Sequence, residues 1–385
     1  LESMGRTMTV KYRADHVGSL LRPQALLDAR KQYDAGKLTL EQLREVEDRS
    51  ILEAIKMQRE AGLEDVTDGE YRRAIWYGPL SEGLEGLVEG PELPATPGGI
   101  WHGKHADLAT QTLAEVSQAN LVVGQKLRRT RRMTGHESGF LAKHAGGAWK
   151  MTIPGVLTRA NNWYKRGITD KVYPTRQDLI DDLVEQVRAE VQALVDEGCS
   201  YFQLDSLLYV IQLANPQRRA AMIAQGLDPD KMVDDLIAAD NACIEPAKKA
   251  GITVGLHMCR GNNRSAWATE GSYEVAAAKA FSRLNVDRFL LEYDTDRAGG
   301  FEPLRFVPKD KTVVLGLISS KEPRLESQDE LRRRIDEAAK YVPFENLAIS
   351  PQCGFASTAP GNMLTWDEQR RKLELVVETA QKVWG

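Results

Sequence analysis

The chain has 385 residues, of which 42% are hydrophobic and 28% charged, with a net charge of −4. This is the balance of a soluble globular protein that can bury a sizeable core, as two modest domains or one large α/β barrel. It offers nothing to nucleic acid, no apolar run reaches the roughly 18 residues of a membrane span, and residues 1–8 lack the apolar core of a signal peptide.

Four cysteines, Cys199, Cys243, Cys259 and Cys353, are too few and too dispersed for a disulfide framework, so a reducing cytoplasm is the expected home. Residues 1–10 read as a tail, in part a remnant of recombinant expression, and 11–385 as one catalytic domain. The first strand is expected over 15–20, stopped by Arg22-Pro23, and a charged helix over 39–61, stopped by Gly62. A second strand spans 63–70 and ends in Thr67-Asp68-Gly69-Glu70.

Residues 71–149 read as an insertion, a candidate lid, with two glycine-rich loops and a strand-like patch at 120–123. Its basic run Lys126-Leu127-Arg128-Arg129-Thr130-Arg131-Arg132 reads as a solvated face. From Lys150 onward the rhythm is regular. Strands are expected at 150–154, 201–205, 252–259, 288–292, 312–318 and 347–350, with helices at 178–197, 229–250, 273–284, 328–341 and 367–384.

Eight short apolar strands, most followed by a helix, predict a closed (β/α)8 TIM barrel with an insertion between strands two and three. An open doubly wound sheet is the alternative, but no Gly-x-Gly-x-x-Gly follows the first strand. His16, Ser19, Asp68, Glu70, Asp205, His257, Cys259, Glu292 and Cys353 all fall at or just past strand ends, which form one rim in a barrel. His257 and Cys259, two apart on a strand, share a face. With Glu292 and Cys353 they supply two thiolates, an imidazole and a carboxylate, a donor set suited to zinc. Such a site carries a formal charge of about −1, a poor activator of water but able to keep an incoming thiol nucleophilic, which points to alkyl transfer onto sulfur.

Plain alternatives stand beside this reading. His257 and Cys259 fit a buried core pair, Cys353 a tight turn, and Glu292 a partner for an arginine. Cys199 and Cys243 read as structural, and His102, His105, His136 and His144 as surface or lid residues.

The segments 15–23, 67–70, 203–205, 257–262, 291–294 and 350–357 together resemble the cobalamin-independent methionine synthase family, in particular its short single-barrel members. The resemblance implies a zinc-dependent S-methyltransferase that converts homocysteine to methionine, with His257, Cys259, Glu292 and Cys353 on the zinc. It places Ser19 at the substrate carboxylate, and Glu70 and Asp205 at its amino group. The implied partners are homocysteine and a methyl donor, either methyl-folate or a corrinoid-bound methyl; a homodimer is an open option.

Three departures mark this chain. It has room for one barrel only, which leaves the folate polyglutamate donor open. Ser206-Leu207-Leu208 follows Asp205, and Ser319-Ser320-Lys321 stands where larger members carry a histidine, leaving His16 as the substitute acid. Alkyl transfer to a different thiol, as in epoxide:coenzyme M chemistry, is the second reading. A metal-free decarboxylase or binding protein on the same barrel is the third.

Overall fold

The computed structural model describes residues 11–91, 100–116, 120–211, 213, 215–224 and 226–385; the expected tail and part of the first glycine-rich loop lie outside them. In chain order the strands are β1 (Leu84–Glu89), β2 (Leu121–Arg129), β3 (Lys150–Pro154), β4 (Tyr201–Asp205), β5 (Thr253–Met258), β6 (Arg288–Glu292), β7 (Thr312–Ile318) and β8 (Leu347–Pro351). β3 to β8 form one sheet in sequential order, every neighbouring pair parallel. Every residue of β3, β4, β6 and β8 is buried, as expected where helices cover one face and the barrel interior fills the other.

The sheet closes through the two N-terminal segments. Ala14 bridges Ile349 on β8 and Val66 bridges Trp149 beside β3, both in parallel sense. Leu20 N–H then donates to Gly69 O at 3.0 Å and joins the two segments to each other. The fold is therefore the (β/α)8 barrel, with one correction: 15–20 and 63–70 are not strands, and single bridges at Ala14, just before the first, and at Val66 stand in their place. The backbone explains this, since positive φ at Gly18 (142°), Gly69 (71°) and Glu70 (60°) breaks the extended run that a ladder requires.

Helices follow the expected registers. Leu40–Glu60 starts at Thr39, whose hydroxyl accepts from Gln42 N–H while the Gln42 side chain accepts from Thr39 N–H, and Trp366–Trp384 begins at Thr365 in the same way with Glu368. Pro229–Ala250 ends at Gly251, in the left-handed conformation favoured just past a helix C-terminus. Among the described helices none is long and apolar enough to cross a membrane. Inside 71–149, β1 and β2 pair as an antiparallel hairpin. The basic run lies on β2 and the turn after it, and acids neutralise it: Lys126 meets Asp182 at 3.1 Å, Arg131 meets Glu82 at 2.9 Å, and Arg132 meets Glu190 at 2.9 Å.

Closure at the N-terminal end of the barrel rests on Asp15. Its carboxylate accepts from Lys150 Nζ at 2.7 Å, Tyr201 OH at 2.8 Å, Arg288 Nη1 at 2.8 Å and His16 N–H at 2.8 Å. Lys150, Tyr201 and Arg288 open β3, β4 and β6, so a single acid ties the first segment to three strands. Although burial opposes ionisation, Lys150 and Arg288 hold the Asp15 carboxyl down at about 2. We expect Asp15→Asn to leave Arg288 without its carboxylate and Lys150 with only Asp65, at 3.8 Å, and to cost about 3–5 kcal/mol in urea unfolding; a loss below about 1 kcal/mol would show that closure rests elsewhere.

Candidate metal centre and substrate cavity

At the opposite rim, β5 delivers His257 and Cys259 on one face, and the chain leaving β8 delivers Cys353. Their ligand atoms lie within 4.8 Å of one another, and all three residues are buried. The two sulfurs are 3.6 Å apart. The hydrogen bond between them, with burial, pushes the Cys259 thiol up, and the same bond, helped by His257 against burial, holds Cys353 well below the usual thiol range.

His257 Nδ1 lies 3.1 Å from Leu290 O, which can only accept, so Nδ1 carries a proton and Nε2 is the ring nitrogen left for a ligand role; against burial, Cys353 and Asp205 push the imidazole up. Nε2 is buried and has no hydrogen-bond partner. An imidazole nitrogen beside two sulfurs is a soft donor set that could hold a metal ion.

Glu292 stands at the end of β6, next to this group but outside it. Oε2 accepts from Arg260 N–H at 2.6 Å and Oε1 from Arg297 at 3.4 Å, so the carboxylate faces arginines in this structure.

Ser19, Glu70, Asp205, His257, Cys259 and Cys353 line one cavity of about 280 Å3. Gly354 makes room for this arrangement, since a Cβ there would come within 2.0 Å of Ser19 Oγ. Ser19 Oγ accepts from Ala356 N–H at 3.3 Å, and Glu70 Oε1 accepts from Thr152 Oγ1 at 2.8 Å. Glu70 Oε2 is buried without a partner. Asp205 Oδ1 accepts from Gln203 Nε2 at 2.8 Å.

Burial pushes Glu70 up, with Arg73 opposing. For Asp205, burial, resisted by His257 and reinforced by the charge of Glu70, raises the carboxyl to about 7. Two carboxylates facing one cavity form a receptor for a cation.

His16 is placed differently. It is buried outside the cavity wall, its backbone oxygen accepts from Lys150 Nζ, and both ring nitrogens lack partners. Burial and Lys150 push it down to about 3, so the ring is neutral at physiological pH. The structure thus places His16, the expected acid, outside the cavity wall and beside the closing cluster. Cys199 and Cys243 are buried and outside the cavity wall.

What sequence reasoning missed is the outer wall. Trp76, Tyr77, Ile100, Trp101 and Leu113 reach the cavity from the 71–149 segment, and Leu207, from the divergent turn after Asp205, joins them. Only the unusual pairing of Trp76 with Tyr77 offered a signal.

The family model for the catalytic domain of cobalamin-independent synthases matches residues 153–382. Bacillus subtilis YxjH, an uncharacterized protein, is 39% identical over 376 residues, 97% of this chain and 95% of that one. The chain belongs to the cobalamin-independent methionine synthase family. Within it, the methionine synthase of Pyrococcus abyssi is 24% identical over 340 residues, 88% of this chain and 84% of the relative. A structure from Listeria monocytogenes, assigned there only provisionally as a vitamin-B12 independent methionine synthase, superposes with a TM-score of 0.71 at 27% identity, covering 97% of this chain and 98% of that one. A B12-independent methionine synthase from Shewanella sp. W3-18-1 shares the fold, with a TM-score of 0.69 at 19% identity over 96% of each chain. The family match encloses Asp205, His257, Cys259, Glu292 and Cys353, whereas Ser19, Glu70 and the aromatic wall lie before it.

The buried Asp205 has a measurable consequence. Its folded pKa of about 7 lies above the unfolded value of 3.8, so its contribution to stability is fully present below the unfolded value and is lost progressively as pH rises from there to about 7. We expect Asp205→Asn to melt higher than the parent at about pH 8.5 in ligand-free protein, with the gap clearly narrower at about pH 5. Parallel melting curves at both pH values would refute the perturbed carboxyl.

Proposed function

We propose that the protein is a zinc-dependent S-methyltransferase that moves a methyl group to the thiol of homocysteine to give methionine. The observation that carries this reading is one cavity in which His257 Nε2, Cys259 and Cys353 face the carboxylates of Glu70 and Asp205. Two sulfurs and an imidazole fit zinc, and Glu292 is the fourth donor, exchangeable because its carboxylate already has alternative partners in Arg260 N–H and Arg297. Bound there, zinc supplies a cation that keeps a substrate thiol ionised at neutral pH.

The remaining work falls to the chain. Glu70 Oε2 and Asp205 receive the substrate ammonium, and Ser19 Oγ its carboxylate, which together aim the thiol at the sulfur-lined end. Trp76, Tyr77 and Trp101 exclude water and receive the methyl donor, a methyl-folate or a corrinoid-bound methyl. The sulfur–methyl bond forms as the donor–methyl bond breaks, and the donor keeps the electron pair. A sulfonate thiol would bring no cation to Glu70 and Asp205, so an amino-acid thiol is favoured.

Zinc-loaded protein given homocysteine with methyl-tetrahydrofolate (mono- or polyglutamyl) or methylcobalamin is expected to form methionine, detected by mass spectrometry, from one donor class. Methionine formed equally well by zinc-free protein would refute the mechanism. Separately, Cys353→Ser should lose most of its zinc by metal analysis; stoichiometric zinc in that variant would mean that the donors lie elsewhere.

A further inference from the structure

Beyond the cavity wall lies a buried lysine that neither metal nor substrate binding has yet employed. Lys321, in the turn after β7, is 6% exposed. Its ammonium donates to Gly261 O at 3.0 Å, Asn262 Oδ1 at 2.7 Å and Ala266 O at 3.2 Å. All three acceptors belong to the loop that leaves β5 just after Cys259. None is a carboxylate, and an ammonium has three protons, so the charge is spent on holding one loop in shape. Burial pushes the lysine down while Glu292, Cys353 and Cys259 pull it up, so its charge lies within the field of the donor group.

Asn262 carries the connection further. Its Nδ2 donates to Gly354 O at 2.7 Å and to Ser357 Oγ at 3.1 Å, reaching the loop that leaves β8 one residue after Cys353. Asn362 Nδ2 closes the ring, donating to Asn262 Oδ1 at 2.9 Å and to Ser320 O at 2.7 Å. Gly261 and Asn262 themselves line the cavity. A continuous path of hydrogen bonds thus runs from the turn after β7, through the Cys259 loop, to the Cys353 loop.

We propose that Lys321 is a positioning residue that, through Asn262, sets the separation of Cys259 and Cys353 and thereby the geometry offered to the metal. This inference rests on the metal reading of the site. Cysteines on two different loops approach to 3.6 Å only if both loops are held, and the lysine–asparagine path is the buried polar link that meets the Cys353 loop nearest the sulfur, at Gly354. Thr358 Oγ1, donating to Asn263 Oδ1 at 2.8 Å, joins the two loops further out. Methionine in place of Lys321 keeps the length of the side chain and removes its three hydrogen bonds. Alanine in place of Asn262 cuts the link to Gly354 while leaving Lys321 its two backbone acceptors.

Cobalt(II) is the probe, because its thiolate charge-transfer and ligand-field bands report donor geometry without turnover. Lys321→Met and Asn262→Ala should each bind cobalt about 10- to 100-fold more weakly than the parent, the range for residues that orient metal ligands, and with altered band positions. The double variant should be no worse than the weaker single, since both act on one path. Circular dichroism and melting curves identify the folded fraction, and a purely structural role would lower the melting temperature while leaving the bands unchanged. Parental affinity and bands in both variants would overturn the proposal. If Lys321→Met fails to fold, Asn262→Ala decides alone, by the same criteria. If the parent binds no cobalt, the metal reading falls and this inference with it, an outcome distinct from normal binding by parent and variants alike.

Discussion

Closure of the barrel is the constraint on which the rest depends, and Asp15 supplies it at the weakest point. The first two segments form only single bridges, at Ala14 and Val66, where a regular strand would give a ladder of hydrogen bonds. A buried acid bonded to Lys150, Tyr201 and Arg288 replaces those missing rungs. Paired charges of this kind gain little against water but are costly to break, which makes the arrangement specific. Because closure orders the strands around a ring, the ends of β5 and β8, ninety-odd residues apart in sequence, arrive on the same rim. Stability is thus concentrated at one end of the barrel and chemistry at the other.

The barrel was legible because its signals are local. Apolar strands at 150–154 and 201–205 and capped, amphipathic helices name themselves, and Gly251 marks a helix end by its own backbone preference. The His257 and Cys259 pair was legible for the same reason, since strand geometry alone puts both on one face. Cys353 was placed only by assuming the ring, a global property.

Illegibility has physical causes as well. Residues 15–20 and 63–70 carry strand-like composition, yet their positive φ angles and ion pairs are set by neighbours distant in sequence. His16 lies beside rim residues in sequence but is buried against Lys150, and nothing in its immediate neighbours announces that. The aromatic wall comes from a segment whose hairpin depends on pairing 84–89 with 121–129, an association that periodicity within either strand does not reveal. Glu292 illustrates the remaining difficulty. Its two readings, ligand and arginine partner, use the same atoms, and the structure shows the second in contact while leaving it beside the first.

Charge bookkeeping around the cavity explains why this rim calls for ligands. Arg73 is committed to Glu137 at 2.7 Å, with Glu70 at 3.6 Å only its secondary contact. Arg260 donates to Gly271 O at 2.6 Å, and Lys321 to three loop oxygens. The basic side chains nearest the acids and sulfurs therefore spend their hydrogen bonds on other partners. What stays unsatisfied is anionic or electron-rich: Glu70 Oε2 and His257 Nε2 are buried and unpartnered, and Asp205 is pushed up to about 7. Buried groups of that kind carry a desolvation cost that only a cation or a proton can offset. A divalent metal at the sulfur end and an ammonium at the carboxylate end would relieve it at two points of the same cavity. On the proposed reading, selection of an amino-acid thiol and binding of a metal would both follow from one shortage of positive charge.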